Sequence, residues 1–513
     1  MYKIELRNKA LILPILFFLA LTIHLIGLNK IGRTWDEQFK VDMGYIAWSS
    51  LAAKDFSVDS WNFVSEHPMV AKYIYSLFMG PQMIRLDDGA GHYVNFTPND
   101  INALETGNYI KTQLGNKLYM ISYDLTTPRF ISAIFNSLAV ALTVFIALYF
   151  LKEIWAIVAG VFLLFTPRFV VMGQLITFES LSVSLFCLTA LLFYKLLNNP
   201  KSTRLYLLLG VLCGLLFWTR YDNIFIFVFL AGWFVIDYIY KKNKDILNIR
   251  LLLIPPISFL LGIIIWPLVW HNFPKYLVDS FVFHQSRNIG PSLYFIERLI
   301  VTTPMPILFG LAIGLIWSLK ERKYWNAVFV WWFFSTIIFY SILALEGGGT
   351  RYIFVIYPAI AILCSYGYFV LLRKRWIYAL IPIFIFLAVE MIGVYPYYLD
   401  YYNQLVGGVN GAVKRGYEFS WWGEGQREVG FYINNNIPSG SSIGLIVTPK
   451  YVFPALRTDL KNKGYVDAKT DADYIVVSGG DIPNKKKISS KSQLIYAAEV
   501  DGEPLVLLFK KKN

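Results

Sequence analysis

Two neighbouring carboxylates follow the first apolar segment of the chain. Asp36 and Glu37 lie in the run Thr34-Trp35-Asp36-Glu37-Gln38, a few residues after the apolar stretch 10–28. A carboxylate close to a membrane can serve as a general base, because desolvation disfavours its charged form and raises its pKa. Acidic residues are equally typical of the first turn of a helix, where they interact favourably with the helix dipole. The pair by itself is compatible with both interpretations.

A histidine and a lysine stand further along, in Glu66-His67-Pro68-Met69-Val70-Ala71-Lys72-Tyr73. Pro68 suits the first turn of a helix, so His67 and Lys72 are expected to flank that turn. A cation in this position could hold a lipid phosphate. The alternative is an amphipathic helix at the membrane interface, with a lysine whose ammonium reaches towards water.

Glu179 lies about one turn into an apolar segment, and Thr166-Pro167-Arg168 precedes it. A glutamate in a membrane helix is costly and is a functional candidate for that reason. A structural ion pair, for example with Arg168, is the competing explanation. At the next turn, Arg220-Tyr221-Asp222 favours a local ion pair.

Glycines accompany the last of these cations, in Gly347-Gly348-Gly349-Thr350-Arg351-Tyr352. Glycines let a backbone approach a ligand closely, and an arginine beside them can bind a phosphate through several N–H donors. A flexible turn with an arginine at the membrane boundary is the alternative.

The composition determines the class of protein that must position these residues. Hydrophobic residues make up 56% of the 513 residues and charged residues 16%, against about 25% charged residues in an average soluble domain. This excludes an ordinary cytosolic enzyme and a disordered chain. Continuous rather than alternating apolar runs exclude a membrane β-barrel. The sequence therefore predicts a polytopic α-helical membrane protein.

Eleven apolar segments are long enough to cross a bilayer, which needs about 20 residues per helix. The predicted transmembrane helices are residues 10–28, 128–150, 154–171, 174–197, 204–219, 223–240, 250–270, 299–318, 325–345, 352–371 and 376–395.

Basic residues predict the orientation of these helices. The net charge is +13, which in a membrane protein reflects topology signals rather than nucleic-acid binding. Lysines and arginines cluster in every second loop, whereas the three short loops of the other face hold only Arg168, Arg220 and Arg351. The positive-inside rule places the N-terminus in the cytoplasm and the C-terminus outside, in a multi-pass protein of the plasma membrane.

This topology divides the chain into a transmembrane catalytic domain, 1–395, and a small extracytoplasmic α/β domain, 396–513. The first outer loop, 29–127, belongs to the former and carries juxtamembrane helices. In the second domain we expect strands at Ser442–Thr448, Tyr474–Ser478, Gln493–Val500 and Pro504–Lys510, with a turn at Asp501-Gly502 between the last two. Helices are expected near 425–436 and 450–463.

All the candidate residues fall on the predicted outer face. Carboxylates and cations at lipid depth suit the displacement of a phosphate leaving group from a lipid-linked donor. A carboxylate deprotonates the acceptor hydroxyl, cations meet the charge that develops on the phosphate, and the sugar carbon passes through an oxocarbenium-like state.

The architecture and these motifs resemble the C-type (GT-C) membrane glycosyltransferases. The pair Asp36-Glu37 and the stretch from His67 to Lys72 are most similar to glycosyltransferase family 39, which includes the protein O-mannosyltransferases. The lipid A aminoarabinose transferases are similar as well. The family motif is Asp-Glu followed by His-Pro-Pro-Leu-x-Lys, from which this chain departs at Met69 and Val70.

Other parts of the chain share the resemblance. Glu179 matches an acidic residue that the family carries after its second outer turn, and Arg351-Tyr352 matches a basic–aromatic pair at the entry to a late span. The stretch Tyr395–Gly408, together with Trp422-Gly423-Glu424-Gly425, is similar to prokaryotic members. The β-trefoil domain of the eukaryotic protein mannosyltransferases is not expected here.

The resemblance implies an inverting glycosyltransferase that moves a sugar from a polyprenyl-phosphate-linked donor to a hydroxyl acceptor, which is a protein Ser/Thr, a lipid or an envelope glycan. Asp36 would be the base and Glu37 would assist it or hold the site, with Glu179 as a further catalytic residue. The implied donor-phosphate ligands are His67, Lys72, Arg168, Arg351 and Tyr352.

A monophosphate donor requires no cofactor in principle, because cationic side chains neutralise it. The ligand spacing supports no divalent-metal site. The partners implied are the donor, the acceptor and membrane lipids, without nucleic acid. The alternative functions are a lipid-linked glycan ligase or polymerase, a transporter or flippase, and a non-catalytic envelope scaffold. The lack of internal repeats, the absence of Asp, Glu and Lys from the middle of most helices and the charge gathered on one face disfavour the transporter.

Overall fold

The computed structural model describes residues 11–61, 67–78, 84–87, 93–95, 120–123, 125–242, 245, 247–285, 290–343, 348–372, 377–447, 452–454, 456–457, 459–466 and 471–512. Within these ranges the chain forms two compact units. The first, called here the helical unit, comprises Met1–Ile26, Ser50–Ile74 and Phe130–Met391. The second, called here the sheet unit, comprises Gly27–Ser49, Tyr75–Arg129 and Ile392–Asn513.

Helices dominate the N-terminal four-fifths of the chain. Up to the first broken segment they are α1 Ile12–Leu25, α2 Trp35–Ala52, α3 Val58–Trp61, α4 Val70–Ser76, α5 Thr126–Ala147, α6 Glu153–Leu164 and α7 Pro167–Gln174. They continue as α8 Phe178–Asn198, α9 Thr203–Phe217, α10 Phe225–Lys241, α11 Ile254–Ile265, α12 Leu268–His271, α13 Phe273–Gln285 and α14 Tyr294–Thr302. The last are α15 Met305–Glu321, α16 Tyr324–Leu343, α17 Tyr357–Leu372 and α18 Leu380–Val394.

Among the described residues, six helical segments are long and apolar enough to cross a membrane, or seven if a bent pair counts as one. The six are Thr126–Ala147, Phe178–Asn198, Tyr221–Lys241, Tyr324–Leu343, Phe354–Leu372 and Ile377–Val394. Shorter apolar helices stand at three further predicted positions, Ile12–Leu25, Thr203–Phe217 and Ile249–Ile265. The chain is thus an integral membrane protein, although the predicted number of eleven spans is not confirmed.

Two predicted spans are broken in the structure. The third, expected as one helix over 154–171, bends by 70° between Glu153–Leu164 and Pro167–Gln174. The eighth, expected over 299–318, ends as a helix at Thr302 and starts again at Met305. A Thr-Pro pair stands at each break. Proline interrupts the helix there because it cannot donate the backbone hydrogen bond that a continuous helix needs.

The C-terminal part of the sheet unit is an α/β domain with one mixed sheet. Its strands are β4 Ser442–Ile446, β5 Lys461–Tyr465, β6 Tyr474–Ser478, β7 Ser492–Val500 and β8 Glu503–Lys511, in the spatial order β5-β4-β6-β8-β7. Its helices are α19 Gly408–Lys414, α20 Gln426–Asn436 and α21 Ile482–Ser489. Earlier in the unit, β1 Ile84–Asp87 pairs antiparallel with β2 Tyr93–Asn95 and with β3 Met120–Tyr123.

All four predicted C-terminal strands and the helix at 425–436 are confirmed to within a few residues. The turn at Asp501-Gly502 is confirmed too: both residues have positive φ, 49° and 76°, as a two-residue hairpin turn requires. The helix expected at 450–463 is wrong. Its last residues form β5, which pairs in parallel with β4, and 448–451, 455 and 458 lie outside the described residues.

Candidate functional site

Glu37 is a buried member of an ion pair in the sheet unit. Its side chain is 1% exposed, and its two carboxylate oxygens accept from Arg129 Nε at 2.8 Å and Nη2 at 2.7 Å. The backbone N–H and the hydroxyl of Thr34 donate to the same carboxylate, each at 3.0 Å. A glutamate that reaches back to the residue before a helix is half of a capping box. The Glu37 carboxylate therefore anchors the start of α2.

Asp36, one residue earlier, has a different environment. Its side chain is 31% exposed, and the ammonium of Lys40, one turn further along α2, lies 3.9 Å from its Oδ2. Lys40 is buried and stands 5.8 Å from the ring centroid of Trp422. The backbone of Trp422 also accepts from the N–H of Trp35 at 3.0 Å. The solvent-accessible carboxylate of this pair is thus Asp36.

The helical unit holds the second group of candidate residues, centred on Arg220. One guanidinium nitrogen of Arg220 donates to Glu179 Oε1 at 2.6 Å. Two others bind the carboxylate of Asp222 as a fork, at 2.9 and 2.7 Å. Arg351 Nε lies 3.9 Å from the same Glu179 oxygen. Glu179 therefore has two arginines around it, and Arg220 forms the short ion pair with its carboxylate.

Tyr352 stacks against both arginines of this cluster. The guanidinium carbon of Arg220 lies 4.8 Å, and that of Arg351 5.3 Å, from the centre of the Tyr352 ring. Burial opposes the charge of Arg220, but the Asp222 and Glu179 carboxylates outweigh this effect and raise the pKa of the guanidinium above its ordinary value. Arg220 is therefore a fixed, permanently charged group.

A glycine turn brings Arg168 into the same region. Gly348 and Gly349 have φ angles of +80° and +56°, which side-chain-bearing residues rarely adopt. A Cβ at Gly349 would collide with a guanidinium nitrogen of Arg168. The Gly349 N–H donates to the hydroxyl of Tyr294 at 3.0 Å. The turn that precedes Arg351 therefore requires glycine, since Arg168 occupies the space beside it.

Arg168 is positioned by the bent segment α7, whose backbone carbonyls are bound by side chains of neighbouring helices. Asn136 donates to the carbonyl of Phe169 at 2.8 Å and contacts His24 Nε2 at 2.8 Å. Ser132 and Ser180 donate to the carbonyl of Met172 at 3.1 and 2.6 Å. These polar partners stabilise α7, because a backbone carbonyl without a hydrogen-bond partner in a membrane costs roughly several kcal/mol.

His67 and Lys72 lie next to the start of α8. The ammonium of Lys72 is fully buried and donates to the backbone carbonyl of His67 at 2.7 Å. The ring of His67 meets that of Phe178 edge-on, with the ring centres 5.2 Å apart, and Phe178 directly precedes Glu179. Short helix α4, which carries Lys72, begins two residues after Pro68.

The structure thus groups Glu179, Arg351 and Tyr352 around Arg220, and it places Arg168 and His67 against neighbours of that group. Asp36 and Glu37 belong to the sheet unit. Sequence analysis assigned no role to Arg129. The sequence contained a sign of its role, because an arginine at the start of an apolar span requires a carboxylate partner. Arg220 and Asp222 form the local ion pair that their spacing predicted. In the part of the chain that the structure describes, no group of three or more His, Cys, Asp or Glu residues could hold a metal ion.

Comparison with known proteins gives a partial match to one family model and a similar fold. Residues 113–266 match the family model "Dolichyl-phosphate-mannose-protein mannosyltransferase". A search of curated protein sequences finds no match.

Solved structures are similar over almost the whole chain. ArnT from Cupriavidus metallidurans in the apo state superposes with a TM-score of 0.52 at 14% identity, covering 96% of this chain and 97% of ArnT. The same protein bound to undecaprenyl phosphate gives 0.52 at 13% identity, with the same coverage. The Archaeoglobus fulgidus oligosaccharyltransferase gives 0.45 at 11% identity, covering 97% of this chain and 73% of that protein.

The family-model match over residues 113–266 and the similarity to ArnT agree with the resemblance to the C-type membrane glycosyltransferases that the sequence motifs indicated. The chain thus has an ArnT-like fold, with helices long and apolar enough to cross a membrane and a small C-terminal sheet.

Proposed function

We propose that the protein is an inverting glycosyltransferase that uses a polyprenyl-phosphate-linked sugar and transfers it to a hydroxyl group on the extracytoplasmic side. The observation that carries the proposal is the grouping of Arg220 and Arg351 around Glu179, with Arg168 beside the adjoining glycine turn. This cluster lies at the ends of membrane-spanning segments, in a fold shared with an ArnT that binds undecaprenyl phosphate.

The charges of the cluster suit a departing phosphate. The guanidinium groups of Arg220 and Arg351 lie beside the two carboxylates of Glu179 and Asp222, and Arg168, beside the adjoining glycine turn, adds a third, so these side chains together have a net positive charge. Asp222 and Glu179 hold Arg220 in a fixed geometry. Groups fixed in advance stabilise developing charge without reorganisation, and arginine binds phosphate through several donors.

In the proposed reaction, the acceptor hydroxyl attacks the anomeric carbon from the side opposite the phosphate. The new C–O bond forms as the bond to the phosphate oxygen breaks, which inverts the configuration. The proton of the hydroxyl passes to the Asp36 carboxylate, and polyprenyl phosphate leaves with the bonding electron pair. Arg351, Arg168, Lys72 and His67 receive its charge, whereas Glu37 keeps α2 in place rather than taking the proton.

The first experiment tests the base. Asp36→Asn removes the proton acceptor but keeps the size of the side chain, so we expect kcat to fall by about a hundredfold or more, as is typical for the loss of a general base. The assay measures transfer of label from undecaprenyl-phosphate [14C]hexoses to acceptors in an envelope extract. The matched control is Asp279→Asn, which removes an exposed carboxylate on the helix Phe273–Gln285.

Full activity of the Asp36→Asn protein would exclude Asp36 as the base. Glu37→Gln serves as a comparison, because it breaks the buried pair with Arg129 and is expected to lower stability by about 3–5 kcal/mol. Loss of activity without loss of stability in Glu37→Gln would instead assign the proton transfer to Glu37.

The second experiment tests the orientation. A cysteine in place of Lys487, which is exposed in the C-terminal domain, is expected to react with a membrane-impermeant maleimide on intact cells. A cysteine in place of Lys201, which the positive-inside rule assigns to the cytoplasm, should react only after the cells are opened. The three native cysteines are buried and give little background. The reverse labelling pattern would place the sheet unit inside and reject an extracytoplasmic reaction.

A further inference from the structure

The helical unit contains a second polar region, at the other ends of the helices that carry the arginine cluster. Glu179 is in the first turn of α8, whereas Tyr194 is near its end and packs on Trp325, with ring centres 5.0 Å apart. At about 1.5 Å per residue, residues 179 and 194 are separated by roughly 22 Å along the helix. This second region is therefore distinct from the candidate catalytic site.

A cavity of about 370 Å³ lies in this region, here called the aromatic pocket. Its walls are mainly aromatic, and two lysines and a glutamate complete them. The residues used in the argument below are Tyr149, Lys152, Glu321, Lys323, Trp325 and Tyr366.

Buried polar groups hold the aromatic walls rigidly. Tyr366 donates its hydroxyl to Glu321 at 2.6 Å. Tyr324, which also lines the pocket, donates to the fully buried carboxylate of Asp237 at 2.7 Å and accepts from Trp233 Nε1 at 2.9 Å. The ring of Tyr149 stacks on that of Trp325, with centres 6.1 Å apart and 24° between the planes. The pocket is therefore preformed, and an occupant would not need to order its walls.

The charges of the pocket lie at its edge. Lys152 is exposed at the residue before α6, where its side chain makes no capping hydrogen bond. Lys323 is 67% exposed and lies 2.8 Å from Glu321. Two ammonium groups and one carboxylate beside aromatic rings form a surface with separate places for an anion, for a donor group and for hydrocarbon.

We propose that the aromatic pocket binds the headgroup of a membrane phospholipid. Lys152 and Lys323 contact the phosphate, Glu321 accepts a hydrogen bond from a headgroup ammonium or hydroxyl, and the rings of Tyr149 and Trp325 cover the glycerol and the first carbons of the chains. Pockets between the ends of membrane helices that combine basic and aromatic residues are at the depth of lipid headgroups.

The test uses the full-length protein in detergent, with dioleoylphosphatidylglycerol and dioleoylphosphatidylethanolamine as probes and native mass spectrometry as the readout. Lys152→Gln combined with Lys323→Gln is expected to weaken retention of the added phospholipid at least fivefold. The matched control is Lys201→Gln combined with Lys242→Gln, which removes the same charge from exposed positions outside the pocket. The control should retain the lipid as the unchanged protein does.

Equal loss of lipid in the pocket variant and in the control would show general attraction to a basic surface and would overturn the proposal, as would unchanged retention in both. Lys152→Glu provides a second variant that cannot fail through misfolding, since Lys152 is exposed and makes no capping bond. Undecaprenyl phosphate binding should be unchanged in all these proteins. A parallel loss of that binding would show that the pocket belongs to the donor site and would refute an independent lipid site.

Discussion

Adjacent residues in the sequence have opposite roles at the start of α2. Side chains at consecutive helix positions point about 100° apart, so Asp36 and Glu37 cannot share one environment. Glu37 turns inward to Thr34 and Arg129 and is saturated with donors. Asp36 retains 31% of its side-chain exposure. In the proposed reaction, such a division would let one carboxylate fix the helix while its neighbour accepts the proton.

Substitution of Glu179 tests how the charge of the arginine cluster affects phosphate binding. Glu179→Gln removes one negative charge beside Arg220 and Arg351, whereas Asp222 still holds Arg220 as a fork. One charge fewer should favour a phosphate ligand by about 1 kcal/mol. We therefore expect undecaprenyl phosphate to bind several-fold more tightly at low salt, with the gain lost at high salt.

The measurement is a titration of the purified protein with undecaprenyl phosphate at two salt concentrations. Glu297→Gln is the control, because Glu297 lies in the same unit and its side chain is 52% exposed. Weaker binding in the Glu179→Gln protein would indicate that Glu179 orients the arginines and that its charge does not limit phosphate affinity.

At the scale of elements, apolar length and charge predicted where helices stand but not where they break. Each of the eleven apolar segments contains a helix, since the bilayer demands internally bonded backbone. The position of α7 after the break at Thr166-Pro167 depends on side chains from elsewhere, such as Asn136 and Ser132, which bind backbone carbonyls of α7. The Glu37–Arg129 pair joins residues 92 positions apart, and no local pattern contains that contact.

Gly173 tests how closely α7 must pack. A Cβ there would overlap the His24 ring and come within 2.8 Å of Asn136 Cβ. Gly173→Ala should therefore destabilise the protein by about 1–3 kcal/mol, as overpacking does, and it should also weaken undecaprenyl phosphate binding through displacement of Arg168. Thermal unfolding in detergent measures the first effect and ligand titration the second.

Gly393→Ala is the matched control, because a Cβ at that helical position has no atom within 4 Å. Alanine favours a helix over glycine, so this control should be neutral or slightly stabilising. If Gly173→Ala were as stable as Gly393→Ala, α7 would have room to move and its packing would not position Arg168.

At the scale of the whole molecule, the two units differ in what the sequence could predict. The turn at Asp501-Gly502 between two candidate strands predicted β7 and β8 in the sheet unit. The strand β5, Lys-Asn-Lys-Gly-Tyr, was missed because it is polar and lies at an edge of the sheet. Its place depends on parallel pairing with β4, which a local pattern does not contain.

Acid is expected to weaken the sheet unit through the carboxyl group of Asp473. Asp473 accepts from the backbone N–H and the hydroxyl of Ser442, each at 2.7 Å, at the ends of the parallel strands β4 and β6. These hydrogen bonds lower the pKa of the Asp473 carboxyl below its ordinary value. A depressed pKa in the folded state stabilises the fold above the ordinary pKa of about 4, and this contribution is lost as the pH falls through the lowered pKa.

We therefore expect amide hydrogen exchange in 442–446 and 474–478 to be faster in Asp473→Asn than in the unchanged full-length protein at pH 6, and the difference to shrink as the pH falls to 3. Comparing the two proteins at each pH cancels the intrinsic pH dependence of exchange. Asp471→Asn is the control: its carboxylate pairs with Lys511, but it is 81% exposed, and such surface pairs contribute little. A pH-independent difference, or an equal effect of Asp471→Asn, would mean that the ionised Asp473 does not hold these strand ends together.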